Sequence, residues 1–463
     1  MGLKKGQEQE LIISDLAFGG RGIAKVDGLA VFVDQCAPGD HVLARIVKKK
    51  KNFAEARIIR FLEKSPQRIV PPCPYSEYCG GCKWQFLPYE MQLEYKRRHV
   101  AESLAHIGLF QDVPVHATIG SSMQYGYRNK MEFTCTDRRW LLPEELNRED
   151  IVAGFGIGLH IPGAFHHVLD MEKCLLMPEF GNEILDEVRQ FIKGSAFPAY
   201  GLRTHEGFWR FLMLRHSAAH DQWMVNIVTT AENEPAVAPL ARHLAADYPQ
   251  IVSIVNNIAS RKASVSLGEK EIQLAGAPTI KDKIGPYEFE VSANSFFQTN
   301  TRGAEKLYDT VNAYAGLTGV ETVLDLYCGT GTIGMCLSGS AKEVIGIEIV
   351  ESAVADANRN CSLNGITNCR FLLGDIKDAM ASVSERPDVL IIDPPRIGMH
   401  KEVVKQILAM APGRMVYVSC NPATLARDLD MLRAHYRPME VQPVDMFPHT
   451  FHIECVARLE RIG

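Results

Sequence analysis

Cys420 combines a reactive side chain with a position that favours its chemistry. It directly follows the apolar run MVYVS and precedes Pro422, a favoured first residue of a helix. A thiol beside a helix N-terminus feels a partial positive charge, which lowers its pKa and favours the nucleophilic thiolate. Because cysteines at strand ends are more often inert, this position alone does not assign a function.

A second set of reactive side chains lies in DMFPHTFHIECVARL, where polar residues lead into an apolar strand. Glu454 is the favoured general base of this set, and His452 is the second choice. Each of them also fits a buried or surface group without a catalytic role.

A glycine-rich turn follows the strand VLDLY. Asp325 lies inside this strand, and the turn CGTGTIG supplies glycines that let the backbone approach a ligand closely. Glu348 ends the next strand, VIGIEIV, 23 residues after Asp325, where an acid suits hydrogen bonds to ribose hydroxyls. Taken alone, the pattern G-x-G-x-x-G also fits a nicotinamide dinucleotide fold.

Two further strand ends decide between these cofactors. GD at 374–375 follows the third strand and DPP at 393–395 follows the fourth, a pattern that resembles class I methyltransferases, which bind S-adenosylmethionine. Parallel strands deliver their carboxyl ends to one crevice, so Cys420 is expected beside the methyl donor. A thiolate that adds to C6 of a pyrimidine activates C5 for methylation, after which a base must remove the C5 proton.

The elements that position these groups indicate an α/β protein in three parts. Residues 291–463 alternate apolar strands with helices, which predicts a doubly wound, Rossmann-like sheet. Residues 1–64 contain short β-branched runs between Gly-rich or Asp-Gly turns such as FGGRGIAKVDG, which predict a small OB-like β-barrel. Residues 65–290 predict a central α+β domain, with a helix over 88–108 that ends at Gly108 and packs on the catalytic domain.

Length and charge restrict the class of protein. The chain has 463 residues, so it has room for several domains with sizeable cores. Residues 1–64 hold 12 Lys and Arg against 8 Asp and Glu, whereas the remainder holds 38 against 47. This asymmetry indicates either contact of the N-terminal part with a polyanion or a solvated basic face. No signal peptide or membrane span is evident, so we expect a cytoplasmic protein and, by default, a monomer.

Four motifs together identify the family. DLYCGTGTIG, DPPRIG, SCNPATLARDL and MFPHTFHIE resemble the RNA (uracil-5-)-methyltransferases, which make 5-methyluridine in ribosomal or transfer RNA. The resemblance covers nearly the entire chain and includes a TRAM-like N-terminal stretch of the ribosomal RNA branch. It implies an enzyme that uses S-adenosylmethionine, binds RNA, and takes 23S ribosomal RNA as its substrate.

The resemblance also assigns roles to individual residues. It implies that Cys420 is the nucleophile and Glu454 the base that removes the C5 proton. Arg396 stays unassigned, and Asp393 is also placed to bond the uracil edge. The implied contacts to S-adenosylmethionine are Gln298, Tyr327, Thr332, Glu348, Asp375 and Asp393.

A group of early cysteines indicates a metal site. Cys73, Cys79 and Cys82 lie in proline-rich loop, and Cys174 lies far downstream in DMEKC. Four thiolates suit either a structural zinc ion or an iron–sulfur cluster, and spacing alone leaves both open. The resemblance implies a [4Fe–4S] cluster with a structural or RNA-positioning role.

Three other functions compete with this hypothesis. Transfer RNA is an alternative substrate, and cytosine-5 methylation of RNA uses the same thiolate addition. Enzymes of the latter kind usually carry a second cysteine after the PP motif, where this chain has Arg396. A non-catalytic RNA-binding protein or chaperone with a methyltransferase fold belongs to another class, and binding of S-adenosylmethionine distinguishes it.

Overall fold

A computed structural model describes residues 3–262 and 268–462. Three sheets and one hairpin account for the strands of these ranges. No helix in the described ranges has both the length and the apolar character needed to cross a membrane.

The N-terminal sheet closes into a small barrel. Its order is β1-β5-β6-β4-β3-β2, with the strands β1 (Glu8–Ile12), β2 (Asp15–Leu16), β3 (Gly22–Val26), β4 (Leu29–Val33), β5 (His41–Lys49) and β6 (Phe53–Glu63). β1 and β2 are close together in the sequence, yet β1 pairs with β5 at one end of this order and β2 pairs with β3 at the other end. The two ends of the sheet are therefore brought together. The predicted barrel is therefore confirmed, but β3 lies in a segment that the sequence analysis assigned to a turn.

The central part contains a seven-stranded sheet of order β13-β12-β11-β10-β7-β8-β9. Only β11 and β12 are parallel neighbours, and helix α3 connects them. The elements in chain order are α1 (Tyr89–His106), β7 (Lys130–Thr136), β8 (Gly156–Ile161), β9 (Ala164–Asp170), α2 (Glu179–Lys193), β10 (Trp209–His216), β11 (Trp223–Thr229), α3 (Glu234–Asp247), β12 (Ile251–Ile258), β13 (Lys270–Gly276) and the hairpin β14 (Thr279–Ile284) with β15 (Tyr287–Ser292).

Helix α1 matches the helix predicted over 88–108 and packs against the C-terminal part of the chain. Its buried Val100 and Leu104 belong to the same apolar core as Leu425, Tyr436 and Val441. The helix therefore connects the central part to the C-terminal sheet.

The C-terminal sheet has the order β18-β17-β16-β19-β20-β22-β21. Five strands are parallel, and β22 is antiparallel to both of its neighbours. β16 and β19 are buried along their full length, as expected for strands covered on both faces. The elements are α4 (Thr301–Ala315), β16 (Thr322–Leu326), α5 (Thr332–Ser338), β17 (Glu343–Glu348), α6 (Glu351–Leu363), β18 (Cys369–Leu373), α7 (Ile376–Ala379), β19 (Val389–Ile392), α8 (Lys401–Met410), β20 (Arg414–Ser419), α9 (Pro422–Leu432), β21 (Tyr436–Val444) and β22 (Glu454–Arg461).

Candidate active site

The turn after β16 has the backbone conformation of a ligand-binding loop. Tyr327, Gly329 and Gly331 have φ angles of 64°, 55° and 73°, in the left-handed region. A Cβ atom on Gly331 would lie 2.6 Å from the Phe371 ring, so only glycine fits there. A non-glycine residue held at positive φ, as Tyr327 is, is typical of functional sites.

Two acids stand at the neighbouring strand ends, as the sequence predicts. Glu348 ends β17, and its Oε2 accepts a hydrogen bond of 3.0 Å from the Gly329 N–H of the glycine turn. Asp375 caps α7, directly after β18, by accepting a bond of 3.0 Å from the N–H of Lys377. Both carboxylates are half-buried, and they define one wall of the crevice.

Gln298 and Thr332 are linked to each other through a buried tyrosine. The Nδ2 of Asn129 donates to the carbonyl of Gln298 at 2.7 Å and to the hydroxyl of Thr301 at 2.8 Å. The buried hydroxyl of Tyr308 bonds to the side chains of both Gln298 and Thr332. The sequence does not predict Asn129 and Tyr308 as site residues, because no motif spacing links them to the glycine turn.

Cys420 lies between β20 and α9, at the predicted place. Asn421 is the N-cap of α9, and Pro422 is its first helical residue. The predicted lowering of the thiol pKa is wrong. Burial, followed by the charge of Glu454, raises the pKa of Cys420 to about 11, although Arg396 acts in the opposite direction.

Glu454 faces Cys420 across a strand pair. β20 and β22 are antiparallel with Ser419 opposite Cys455, so the next position of each strand places Cys420 opposite Glu454. Burial, together with the charge of Asp393, raises the pKa of Glu454 to about 8. A carboxyl group with a pKa this close to neutrality is suited to proton transfer.

Asp393 and His452 complete the polar wall around Cys420. Asp393 follows β19, and burial raises its pKa to about 7. Burial, with a contribution from the Arg396 charge, lowers the pKa of His452 to about 4. Nη2 of Arg396 lies 3.5 Å from Nδ1 of this neutral imidazole. Among the described residues that shift the pKa of Cys420, the exposed Arg396 is thus the one cation.

The crevice has the chemistry that a nucleoside sulfonium cofactor requires. Asp325 is completely buried behind the glycine turn, where its carboxylate accepts a hydrogen bond from the backbone of Gly334. Burial, together with the charges of Asp393 and Glu348, raises its pKa to about 8. The acids Glu348 and Asp375 supply acceptors at the strand ends, so the residues present fit S-adenosylmethionine.

The four cysteines predicted to bind metal converge on one buried place. Cys79 lies within electrostatic range of Cys73 and Cys174, and Cys82 lies within range of all three. All four are free thiols with exposed fractions of 5% to 7%. The N–H of Gly81 points at the sulfur of Cys79 at 3.3 Å, as donors do around cluster sulfurs. Across residues 3–262 and 268–462, however, no three His, Cys, Asp or Glu side chains are arranged as a metal site.

The fold and the site define a class of enzyme. A doubly wound sheet with a glycine turn, acids at successive strand ends and an antiparallel strand β22 is that of a class I methyltransferase. Cys420 and Glu454 add a thiol and a carboxyl group at the ends of two neighbouring strands of this sheet.

Comparison with known proteins places the chain within this class. The family model described as tRNA (uracil-5-)-methyltransferase matches residues 240–462, and the TRAM domain model matches residues 2–59. An uncharacterized RNA methyltransferase of Chlorobaculum tepidum is 44% identical over 99% of this chain and 97% of its own. One of Porphyromonas gingivalis is 42% identical over 97% of this chain and 99% of its own.

A solved structure extends the similarity to the whole fold. The tRNA (uracil-54, C5)-methyltransferase of Pyrococcus abyssi, in complex with S-adenosyl-L-homocysteine, is 30% identical, with a TM-score of 0.77 over 97% of this chain and 99% of that one. The chain belongs to the RNA (uracil-5-)-methyltransferase family. The predicted S-adenosylmethionine-dependent methyltransferase and its mixed α/β fold are thereby confirmed at the level of the family.

Proposed function

We propose that the protein transfers a methyl group from S-adenosylmethionine to C5 of a specific uridine in RNA, through a covalent adduct between Cys420 and C6. The antiparallel register that places Glu454 opposite Cys420 carries this proposal. The arrangement sets a nucleophile and a base on two adjacent strands, beside the crevice for the methyl donor.

The chain's own residues perform the steps around methyl transfer. The Cys420 thiol loses its proton to solvent, and its sulfur then bonds to C6 while the C5=C6 electrons move toward the C4 carbonyl oxygen. S-adenosylmethionine supplies an electrophilic methyl group that C5 accepts. Glu454 then takes the C5 proton, and the C6–S bond breaks as the C5=C6 double bond re-forms.

Six residues are proposed to hold the cofactor. Glu348 suits the ribose hydroxyls, because it ends the second strand beside the glycine turn. Asp393 is assigned both the cofactor and the uracil edge, since it lies between the glycine turn and Cys420. The remaining members of the set are Gln298, Tyr327, Thr332 and Asp375.

We further propose that residues 1–64 bind RNA and that residues 291–463 form the catalytic domain. The rings of Phe32 and Phe53 lie 5.8 Å apart on the barrel. Arg21 lies over Phe32, and Lys48 lies over Phe53. Aromatic rings flanked by cations suit the stacking of unpaired bases. The target uridine must leave its stack to reach the crevice, since a ring face must be attacked.

The proposed substrate is 23S ribosomal RNA, with transfer RNA as the second candidate. The barrel and the cysteine group support the ribosomal substrate through the family resemblance. The Pyrococcus abyssi relative, a tRNA (uracil-54, C5)-methyltransferase, favours the second candidate.

One experiment separates these substrates. Purified protein is incubated with labelled S-adenosylmethionine and unmodified 23S ribosomal RNA, with transfer RNA in a parallel tube, and nucleosides are analysed by mass spectrometry. We expect label in 5-methyluridine from the ribosomal tube. Label in the transfer RNA tube alone would overturn 23S ribosomal RNA as the substrate but retain the proposed mechanism. No label in either tube would overturn the proposed methyltransferase activity.

Cys73, Cys79, Cys82 and Cys174, in residues 65–290, are proposed to hold a [4Fe–4S] cluster. Their burial and the backbone N–H donated to Cys79 support a thiolate-bound group. Anaerobic purification should give about four iron and four sulfide ions per chain, the composition of such a cluster. Stoichiometric zinc without sulfide would contradict the proposal.

A further inference from the structure

The segment between β21 and β22 is unusually polar for its burial. Asp445, His449 and Thr450 are each exposed by 2% or less, although the segment has no regular secondary structure. His449 also has a φ of 66°. An irregular polar segment stays buried only when other parts of the chain satisfy its hydrogen bonds, and this one ends at Glu454.

A buried ion pair with helix α1 anchors the start of this segment. Nζ of Lys96 lies 2.6 Å from Oδ1 of Asp445, and neither side chain is exposed. The same ammonium donates to the carbonyl of Phe447 at 3.1 Å. The hydroxyl of Tyr89, about two turns earlier on α1, donates to Oδ2 of Asp445 at 2.8 Å. Helix α1 therefore fixes both oxygens of this carboxylate.

The middle of the segment is held between α1 and the cysteine loop. Oε1 of Gln92 accepts the N–H of His449 at 2.8 Å. The carbonyl of His449 accepts the N–H groups of Lys83 at 2.8 Å and Trp84 at 3.0 Å, directly after Cys82. The ring of Tyr125 stacks on the imidazole at 4.3 Å.

The anchored end lies directly beside the proposed base. In the pairing of β21 with β22, Val444 is opposite Glu454, and Asp445 is the next residue along the chain. The ion pair between Lys96 and Asp445 thus restrains the end of β21 that faces Glu454. Cys420, by contrast, is held by β20 and the N-terminus of α9, outside this network.

We infer that Lys96 is a positioning residue for proton abstraction, which holds the strand end beside Glu454 through its ion pair with Asp445. An apolar pair of similar volume would stabilise the core at least as well, so the buried charges are better explained by the geometry they impose. The inference rests on the proposed function, because it concerns the step assigned to Glu454.

The two chemical steps provide a readout that general destabilisation does not change. Adduct formation depends on Cys420, whereas release of the C5 proton depends on Glu454. Loss of positioning at Glu454 alone should therefore slow proton release and let the methylated adduct accumulate. A merely structural defect lowers both steps by the same factor.

The test compares Lys96→Met with Arg97→Met in the full-length protein. Arg97 lies on the same helix, is partly exposed, and pairs with Glu94 at 2.7 Å. Each variant receives S-adenosylmethionine and the RNA that the wild-type protein methylates, labelled with tritium at C5 of uridine. The covalent adduct is measured on denaturing gels, and tritium release is measured in the same samples.

We expect Lys96→Met to form adduct at about the wild-type rate while tritium release falls by about tenfold or more, a modest fraction of what a general base contributes. Arg97→Met should match the wild type in both. The double variant Lys96→Met, Asp445→Asn removes both buried charges, so it keeps the test available if the single variant does not fold. The double variant should also form adduct at about the wild-type rate while its tritium release falls.

Equal loss of adduct and tritium release in a folded variant, or no loss in either, overturns the inference while the proposed function stands. A wild-type protein that methylates RNA without forming any adduct overturns the proposed mechanism and, with it, the inference.

Discussion

Cys420 experiences opposing charges: Glu454 and Asp393 raise its pKa, and Arg396 lowers it. In the free protein the first two effects and burial prevail, so most of the thiol is protonated near neutral pH. The Cys420 thiol must therefore lose its proton before it can attack a substrate. Arg396 is the group that favours this loss.

Replacing the nucleophile should stop the reaction at its first step. Cys420→Ala is expected to abolish both turnover and the covalent RNA adduct, because it removes the thiol that is proposed to attack C6. Transfer of label from S-adenosylmethionine to RNA and denaturing gels measure the two quantities. A variant that methylated RNA at the wild-type rate would refute the covalent mechanism.

Removing the base should have a different effect. Glu454→Gln keeps the size of the side chain but cannot accept a proton, so the adduct should form and persist while turnover falls by about 10²-fold or more, the range for general base catalysis. Denaturing gels measure the trapped adduct. Absence of the adduct in a folded variant with bound cofactor would contradict this role for Glu454.

The pH dependence follows from the same two groups. The base must be ionised, and burial raises the pKa of Glu454 to about 8; the thiol must be ionised too, and its pKa is about 11. Both requirements are met better as pH rises, so kcat/KM should increase between pH 6 and 9 without a falling limb. Measurement over this range, with protein stability followed in parallel, checks the expectation; a maximum below pH 7 would contradict it.

The motifs single out Cys420 and Glu454 as candidate reactive residues, but they do not predict the protonation of these two groups. Cys420 and Glu454 stand out because a thiol and a carboxyl follow or begin apolar runs near the cofactor strands. Their pKa values depend on burial and on each other, and this information arises only when β20 and β22 pair. The helix N-terminus was therefore a misleading guide to the state of the thiol.

The glycine turn after β16 works only if its backbone stays left-handed and its surface stays clear. Gly331 meets both requirements, since its φ is 73° and a Cβ would lie 2.6 Å from the Phe371 ring. Gly365 has a similar φ of 64°, but its Cβ would meet nothing within 4 Å. A substitution at Gly365 therefore tests backbone strain alone, whereas a substitution at Gly331 tests strain together with steric conflict.

Alanine at these two glycines should therefore have unequal effects. Gly365→Ala should cost about 1–2 kcal/mol of unfolding free energy from left-handed strain alone and leave binding of S-adenosylmethionine unchanged. Gly331→Ala should cost more and weaken binding. Chemical denaturation and calorimetric titration measure both quantities; equal affinities in the two variants would contradict the assigned role of the turn.

Patterning predicted the elements best where the period was regular. The alternation of apolar strands and helices after residue 300 gave the parallel strands of the catalytic sheet, and helical spacing gave α1. Strand β3 was missed, because Gly20 and Gly28 flank a five-residue strand that reads as part of a turn. The hydrogen bonds of Asn129 were also beyond prediction, since they join parts of the chain 169 residues apart.

The proposed RNA-binding surface of the barrel includes a group of lysines at the end of β5. Three exposed lysines, Lys49 to Lys51, lie at the end of β5 and just beyond it. Lys48, in the same strand, pairs with Glu55 at 3.0 Å. The exposed lysines are available to phosphates, whereas Lys48 is partly neutralised.

Charge removal at this edge should weaken RNA binding and leave the chemistry intact. The triple variant Lys49→Ala, Lys50→Ala, Lys51→Ala should raise KM for RNA without changing kcat. If each lysine contacts one phosphate of single-stranded RNA, the slope of log affinity against log salt should fall by about 0.7 per lysine. Binding measured at several salt concentrations checks this, and a fall in kcat with unchanged KM would contradict it.

The ion pair between Lys96 and Asp445 joins residues 349 positions apart, which has a consequence for the order in which the protein is made. At about 5–20 residues per second of synthesis, Asp445 follows Lys96 by roughly 20–70 s. During that interval Lys96 has no partner, although strands β16 to β20, which share an apolar core with α1, are synthesised before Asp445. The nascent chain therefore cannot form this ion pair, or add the strand that carries Glu454, until residues 445–461 have been synthesised.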